Sequence, residues 1–305
     1  MGLIGGDWGT SNLRVFRFAP DGQVIEQRKA AKGVMAVADG AFEAVLADLV
    51  GDWLAAAPSR VLLCGMIGSR QGWAEAPYLA CPAGPAELAA NGLRVESRLA
   101  EIHIVPGLST KAADGRMDVM RGEETGIFGA LAPDDREPHL VIAPGTHSKW
   151  AHIEGGRIAG FSTFMTGELY AVLRGHSILG RLMRGEAQDD AAFDLGVRRA
   201  LDDPALSRLL FSARTEGLFD RIAAESLGSY LSGLLIGSEV GAGLADEAAS
   251  AASVIAAPAT GALYARALAL AGLAKVRRVD GAEAAARGLW RLARAGLGEG
   301  SEGRP

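Results

Sequence analysis

The sequence predicts an α/β protein of two similar lobes, each a mixed sheet with flanking helices, and three observations carry that expectation. The chain has 305 residues, which at roughly 100–200 residues per domain makes two domains. A strand–polar turn–strand unit opens each half of it. Behind both units strands alternate with helices, as in α/β folds, and the default site is then a cleft between lobes. The expected division is 1–133 and 134–305.

Leu3–Gly6 enters the first unit, Asp7-Trp8-Gly9-Thr10-Ser11-Asn12 turns, and Leu13–Phe18 leaves with apolar/polar alternation; Pro20-Asp21-Gly22 turns again into Val24–Gln27. From Gly40 to Ala57, Phe42, Val45, Leu46, Leu49, Val50, Trp53 and Leu54 recur at three- and four-residue steps, one face of a helix that Pro58 ends. Val61–Cys64 and Ile102–Val105 read as short buried strands, and 121–132 as a helix. The polar stretch Asp134–Pro138 is the expected connector. The second unit follows: Leu140–Ala143 enters, Pro144–Ser148 turns, Lys149–Ile153 leaves, and Glu154–Arg157 turns into Ile158–Phe164. Helices are expected at 167–183, 188–201, 204–213, 217–243, 260–272 and 281–295, with strands at 254–257 and 276–279, and a frayed tail from Gly298.

Composition narrows the function. Hydrophobic residues make up 49% and charged residues 22%, an ordinary globular balance. Glycine is the deviation, 41 residues, which suggests tight turns and close backbone approaches. Lys and Arg number 31 against 36 Asp and Glu, without a basic block, so a nucleic-acid partner is not expected. Two cysteines, Cys64 and Cys81, make neither a disulfide framework nor a zinc site and fit a reducing cytoplasm. The N-terminal residues lack a secretory pattern, and position 6 is Gly where a myristoylation motif has Ser or Thr. No apolar run reaches the 18 or so residues of a membrane span.

Neither a P-loop nor a kinase His-Arg-Asp occurs, and the Gly298–Gly303 G-x-G-x-x-G precedes no helix. The turn after Ile4 is more informative. There Gly9, Thr10, Ser11 and Asn12 supply backbone and side-chain donors for phosphate oxygens, and Asp7 a carboxylate for Mg²⁺; an ordinary Asp-Gly hairpin has the same residues. Gly145, Thr146, Ser148 and Lys149 repeat that character with a cation, and two such turns favour phosphate. Asp118, Arg121, Glu123 and Glu124 flank Gly122 at a helix start, where a carboxylate could deprotonate an acceptor hydroxyl or merely oppose the helix dipole. Ser69, Arg70, Gln71 and Trp73, in a Gly-rich loop after a buried strand, form a substrate wall, unless Arg70 is an ion pair and Trp73 core. The five scattered histidines do not suggest a metal site.

Together these stretches resemble the 2-keto-3-deoxygalactonokinases, sugar-acid kinases of the actin-like ATPase superfamily with its ribonuclease H-like lobes. The likeness runs over nearly the whole chain: Asp7–Asn12, Gly65–Trp73, Val105–Leu108, Asp118–Thr125, Pro144–Trp150, Phe164–Tyr170 and His176–Gly180, with Pro-Gly-Thr-His-Ser-Lys-Trp the most specific. The resemblance implies two lobes closing over Mg–ATP and transfer of the γ-phosphoryl group to the 6-hydroxyl of 2-dehydro-3-deoxygalactonate. The alternatives are another sugar acid, such as 2-keto-3-deoxygluconate, and a non-catalytic sugar- or nucleotide-binding regulator. By position it makes Asp7 the metal anchor, Thr10, Ser11, Asn12, Gly145, Thr146 and Ser148 phosphate contacts, and Glu123 the base, with Glu124 and Asp118 as rivals. Arg70 and Arg121 become the clamp on the substrate carboxylate. Adenosine falls around Gly228–Gly241 and after Val254, where Ala256-Ala257-Pro258-Ala259 replaces the Gly-Gly of relatives. The implied protein is cytoplasmic, needs no nucleic acid or membrane, and is compatible with a homodimer.

Overall fold

The computed structural model describes residues 2–132, 137–245 and 249–296. Contacts divide the chain into two compact units: the residues up to Pro138 with Ala151–Phe161 and the chain from Asp280 onward, and His139–Trp150 with Ser162–Val279.

In the first unit, β1 (Gly2–Trp8), β2 (Leu13–Phe18) and β3 (Val24–Ala30) form an antiparallel meander, with Leu3 opposite Phe18 and Trp8 opposite Leu13. Helix α1 (Phe42–Ala56) buries Phe42, Leu46, Val50 and Trp53, the stripe its spacing implies. Strand β4 (Ser59–Cys64) then lies parallel to β1, as a helical crossover permits. Five short elements follow: β5 (Tyr78–Ala80), α2 (Pro85–Ala90), β6 (Leu93–Val95), β7 (Ile102–Ile104) and β8 (Gly107–Lys111). Next come β9 (Met117–Met120) and α3 (Glu123–Ala130). The main sheet has the order β3-β2-β1-β4-β7-β6, and β5-β8-β9 form a small second one. Ile4, Trp8, Leu46, Trp53, Leu63 and Ile104 meet in the core.

The second unit is built on β10 (His139–Ala143), β11 (Ser148–Glu154), β12 (Arg157–Phe164), β13 (Ala252–Ala256) and β14 (Val276–Asp280), in the order β12-β11-β10-β13-β14. Its helices are α4 (Thr166–His176), α5 (Asp190–Asp202), α6 (Leu206–Leu218), α7 (Leu227–Ala245) and α8 (Pro258–Leu270). Helix α9 (Gly281–Gly296) belongs to the first unit, where it packs on α3, α2 and β1.

Three expectations are corrected. The helix read at 167–183 ends at His176, where the Ser177 hydroxyl turns back onto the Leu173 carbonyl, and Leu179–Leu182 is a separate 3-10 turn. The long helix read at 217–243 is split, because Asp220 takes a left-handed φ of 51° that ends α6, and α7 starts afresh at Leu227. Asp118 sits inside β9 rather than at a helix start, opposite Thr110. Most of the connector at 134–138 and the tail from Gly298 lie outside the described residues. Among the described residues no helix is long and apolar enough to cross a membrane.

Candidate functional site

The first turn is shaped from behind. Gly9 N–H donates to the Asn12 carbonyl at 2.9 Å, closing the hairpin, and Thr10, Ser11 and Asn12 stay exposed. The segment Lys32–Met35 braces it: Trp8 Nε1 donates to the Lys32 carbonyl at 2.7 Å and Val34 N–H to the Gly9 carbonyl at 3.0 Å. A Cβ on Gly33 would stand 2.1 Å from the Thr10 carbonyl oxygen, so glycine is required there. The sequence reading missed Gly33, which has no motif around it.

Asp7, the last residue but one of β1, has its side chain 35% exposed, and Arg14 approaches to 3.9 Å. Burial pushes its carboxyl above the ordinary range, and Arg14 only partly offsets this. Beside it lies Gly65, whose Cβ position would be 2.8 Å from the Trp8 carbonyl oxygen and 3.4 Å from Asp7 Oδ1. A Cβ on Gly122 would in turn stand 2.9 Å from Gly65 Cα. Both glycines have left-handed φ, 92° and 107°, a conformation side chains oppose. Two bare backbones thus bring the start of α3 to the end of β1.

The carboxylates at that start separate sharply. Glu124 is fully buried, accepting from Gly122 N–H at 2.6 Å and from the Thr125 hydroxyl at 3.0 Å. Burial, and then the neighbouring Glu123 charge, raise its pKa to about 7. Glu123 is half-buried, with Oε2 accepting Arg121 N–H at 3.1 Å. Asp118 Oδ1 takes the Val119 N–H at 2.7 Å. Cys64, walled in beside Asp7 and Glu124, has its thiol pushed well up by burial and by those charges.

The presumed substrate wall divides in the same way. Arg121 is 9% exposed; its guanidinium stacks on Tyr78 at 4.2 Å and donates to the Ala76 carbonyl at 2.7 Å. From the start of α3 it therefore braces the Ala76–Tyr78 segment, and its buried Nη1 finds no hydrogen-bond partner among the described residues. Arg70 is 83% exposed, with Nε on Glu75 at 3.0 Å. Ser69 donates to Gln71 at 3.3 Å, and Trp73 stacks on Phe42 at the edge of the core. Ser69, Arg70 and Gln71 thus share one open loop, and Trp73 turns inward.

In the second unit Gly145 and Thr146 are exposed, while Ser148 and Lys149 are buried. Lys149 Nζ donates to the Thr163 hydroxyl at 2.9 Å. The Thr146 carbonyl accepts Glu168 N–H at 3.0 Å, and the His147 ring meets Glu168 at 2.5 Å, which latches the turn onto the start of α4. A hollow of about 470 Å³ lies beside it, lined by residues that include Gly145, Thr166, Tyr170, Ile236, Ala256 and Leu263; small-molecule sites have this size. Ala257, also on its wall, has a φ of −59°, which any residue adopts, so the alanines there need no glycine. Among the described residues no cluster of three or more His, Cys, Asp or Glu could hold a metal by itself.

The family model for 2-keto-3-deoxy-galactonokinase matches residues 7–292. A Rhizobium meliloti (strain 1021) protein named as a 2-dehydro-3-deoxygalactonokinase, DgoK1, is 40% identical over 295 residues, 95% of each chain. The 2-dehydro-3-deoxygalactonokinase of Escherichia coli (strain K12) is 38% identical over 236 residues, 77% of each. A crystal structure from Sinorhizobium meliloti, of a protein named as a 2-dehydro-3-deoxygalactonokinase, superposes with a TM-score of 0.90 at 39% identity, covering 96% of this chain and 98% of that one.

Proposed function

The chain belongs to the 2-keto-3-deoxy-galactonokinase family, and we propose which of its residues carry that family's reaction. The protein is a carbohydrate kinase that uses ATP to phosphorylate 2-dehydro-3-deoxygalactonate. In our reading the 6-hydroxyl is the acceptor and Glu123 its general base. The observation that carries this assignment is the split at the start of α3. Glu123 reaches solvent, while Glu124 is fully buried and bonded to the backbone of its own helix start. A base must lie within hydrogen-bond reach of the proton it takes, and a fully enclosed carboxylate does not.

The remaining roles follow from exposure and charge. Thr10, Ser11 and Asn12 on one turn, which Gly9 closes, and Gly145 and Thr146 on the other, present exposed donors to phosphate oxygens. The hollow beside the second turn, apolar at Ile236, Leu263 and the alanines, takes the adenosine. Mg²⁺ suits Asp7: one hard oxygen donor, half-buried and with its charge only partly met by Arg14, is the anchor an ion keeping most of its water and phosphate ligands needs. Bound there, the ion supplies neutralisation of the triphosphate. The substrate carboxylate goes to Arg70, whose exposed guanidinium can leave Glu75 at little cost, whereas Arg121 holds the wall in place.

The test is ADP release across a panel of 2-keto-3-deoxy sugar acids and neutral hexoses. Preference for the galactonate-derived acid, abolished in Glu123→Gln and kept in Asp118→Asn, supports the reading. Equal turnover of a neutral hexose removes the carboxylate clamp, and full activity in Glu123→Gln removes the base.

A further inference from the structure

Behind the second turn lies a buried acid that this reaction does not use. Glu239 is 2% exposed and is the one charged residue of α7. Its Oε1 accepts the Trp150 indole N–H at 2.7 Å and its Oε2 the Tyr264 hydroxyl at 2.7 Å. The Ser148 hydroxyl, itself wholly buried, stands 2.9 Å from the Tyr264 hydroxyl. Burial raises the Glu239 carboxyl above the ordinary range, and hydrogen bonds from Thr166, Trp150, Tyr264 and Ser148 oppose that shift. Strand β11, the start of α4, α7 and α8 therefore converge on a single carboxylate, and Thr166 and Tyr264 also line the hollow.

Counting protons orders the chain of bonds. Both oxygens of Glu239 accept here, and each hydroxyl has one proton to give. The Tyr264 proton goes to Glu239, so the Ser148 proton goes inward too, to Tyr264 or to the carboxylate. Nothing is left on Ser148 to donate to a phosphate oxygen. We propose that Glu239 and Tyr264 are positioning residues that hold the second phosphate turn in its nucleotide-binding shape, with Ser148 as their strut rather than a phosphate contact. The turn's own contacts are then the Thr146 hydroxyl and backbone N–H groups. This rests on the kinase reading above.

Isothermal titration with ADP·Mg²⁺ and steady-state kinetics test it on Tyr264→Phe, Ser148→Ala and the double variant, each compared with the wild type for melting temperature. Tyr264→Phe keeps the ring and should raise the ADP Kd and ATP KM about tenfold, the loss of one hydrogen bond to a charged group. The effect falls on the ATP KM rather than on kcat, and the sugar-acid KM stays put. Because both hydroxyls belong to one chain of bonds, the double variant should be no worse than Ser148→Ala alone. Glu239→Gln, which can still accept from Trp150, should recover most of the affinity that Glu239→Ala loses. Wild-type affinity in Tyr264→Phe, or multiplying losses in the double variant, overturns the inference and leaves the kinase reading standing. A wild-type protein that binds no ADP overturns both.

Discussion

Replacing Glu124 by glutamine tests the carboxylate pair through stability rather than activity. Glu124 is fully enclosed, and burial with the Glu123 charge lifts its pKa from 4.5 to about 7. The native state therefore holds this proton more tightly than the unfolded chain does. The contribution to stability is fully present below pH 4.5, declines as pH rises, and is gone above about 7. The gap of about 2.5, at 1.36 kcal/mol per pH unit, comes to about 3 kcal/mol. Glutamine has the same shape, accepts the Gly122 N–H and does not titrate. Urea denaturation of both proteins between pH 4 and 8.5 should give a difference, wild type minus Glu124→Gln, that falls by about 3 kcal/mol across that window and is flat above it. Taking the difference cancels the other titrating groups. Parallel curves would refute the buried, proton-holding role, and a difference that rises with pH would mean Glu124 is ionised and paired in the fold.

Other outcomes follow from the same geometry. Glu123→Gln should lower kcat by about 10²–10⁴ with ATP KM unchanged, as loss of a general base does, and unchanged turnover would transfer the role to Asp118. Arg70→Ala should raise the sugar-acid KM about tenfold without shifting the melting temperature, since an exposed pair with Glu75 contributes under about 1 kcal/mol; an equal effect on ATP KM would contradict it. Gly288→Ala should destabilise by more than about 3 kcal/mol, because a Cβ there would lie 1.8 Å from the Thr125 carbonyl oxygen and push α9 off α3. Calorimetry showing a near-native melting temperature would overturn that contact. Gly122→Ala should cost about 1–3 kcal/mol in backbone strain at its φ of 107° and lower kcat by displacing Glu123, read by chemical denaturation and turnover together.

Most of the fold was legible because most of it is periodic. The stripe Phe42, Leu46, Val50 and Trp53 could only be a helix face, and the alternation after Asn12 could only be a strand. Between Tyr78 and Met120 only the strand at Ile102–Ile104 was legible: the other strands, of three to five residues, carry too little pattern, and their partners come from elsewhere, as when Tyr78 pairs with Gly107. The return of α9 to the first unit is equally silent, since a locally amphipathic helix does not say which surface it covers. At the site, both turns and the acidic helix start were visible as residue types, but their surroundings were not. Arg121 reads as an extended cation and is in fact stacked beneath Tyr78. Glu239 had a signal that went unused, a single charge in a 19-residue helix otherwise free of it.

The ambiguity between Glu123 and Glu124 has a physical resolution. Adjacent residues on a helix point about 100° apart, so two neighbouring side chains at one helix start cannot share one environment. Here α3 lies against α9, and the Gly122 backbone reaches Gly65, so one direction is enclosed and the other opens outward. Once Glu124 is enclosed, desolvation and the charge beside it keep it protonated up to about neutral pH. Position alone thus sorts the pair into an enclosed strut and an open base, and the kinetic mark of this is asymmetric. Glu124→Gln should keep most of the wild-type kcat, whereas Glu123→Gln should lower it by about 10²–10⁴. A loss of that size in Glu124→Gln would mean that the enclosed carboxylate, not the open one, takes the substrate proton.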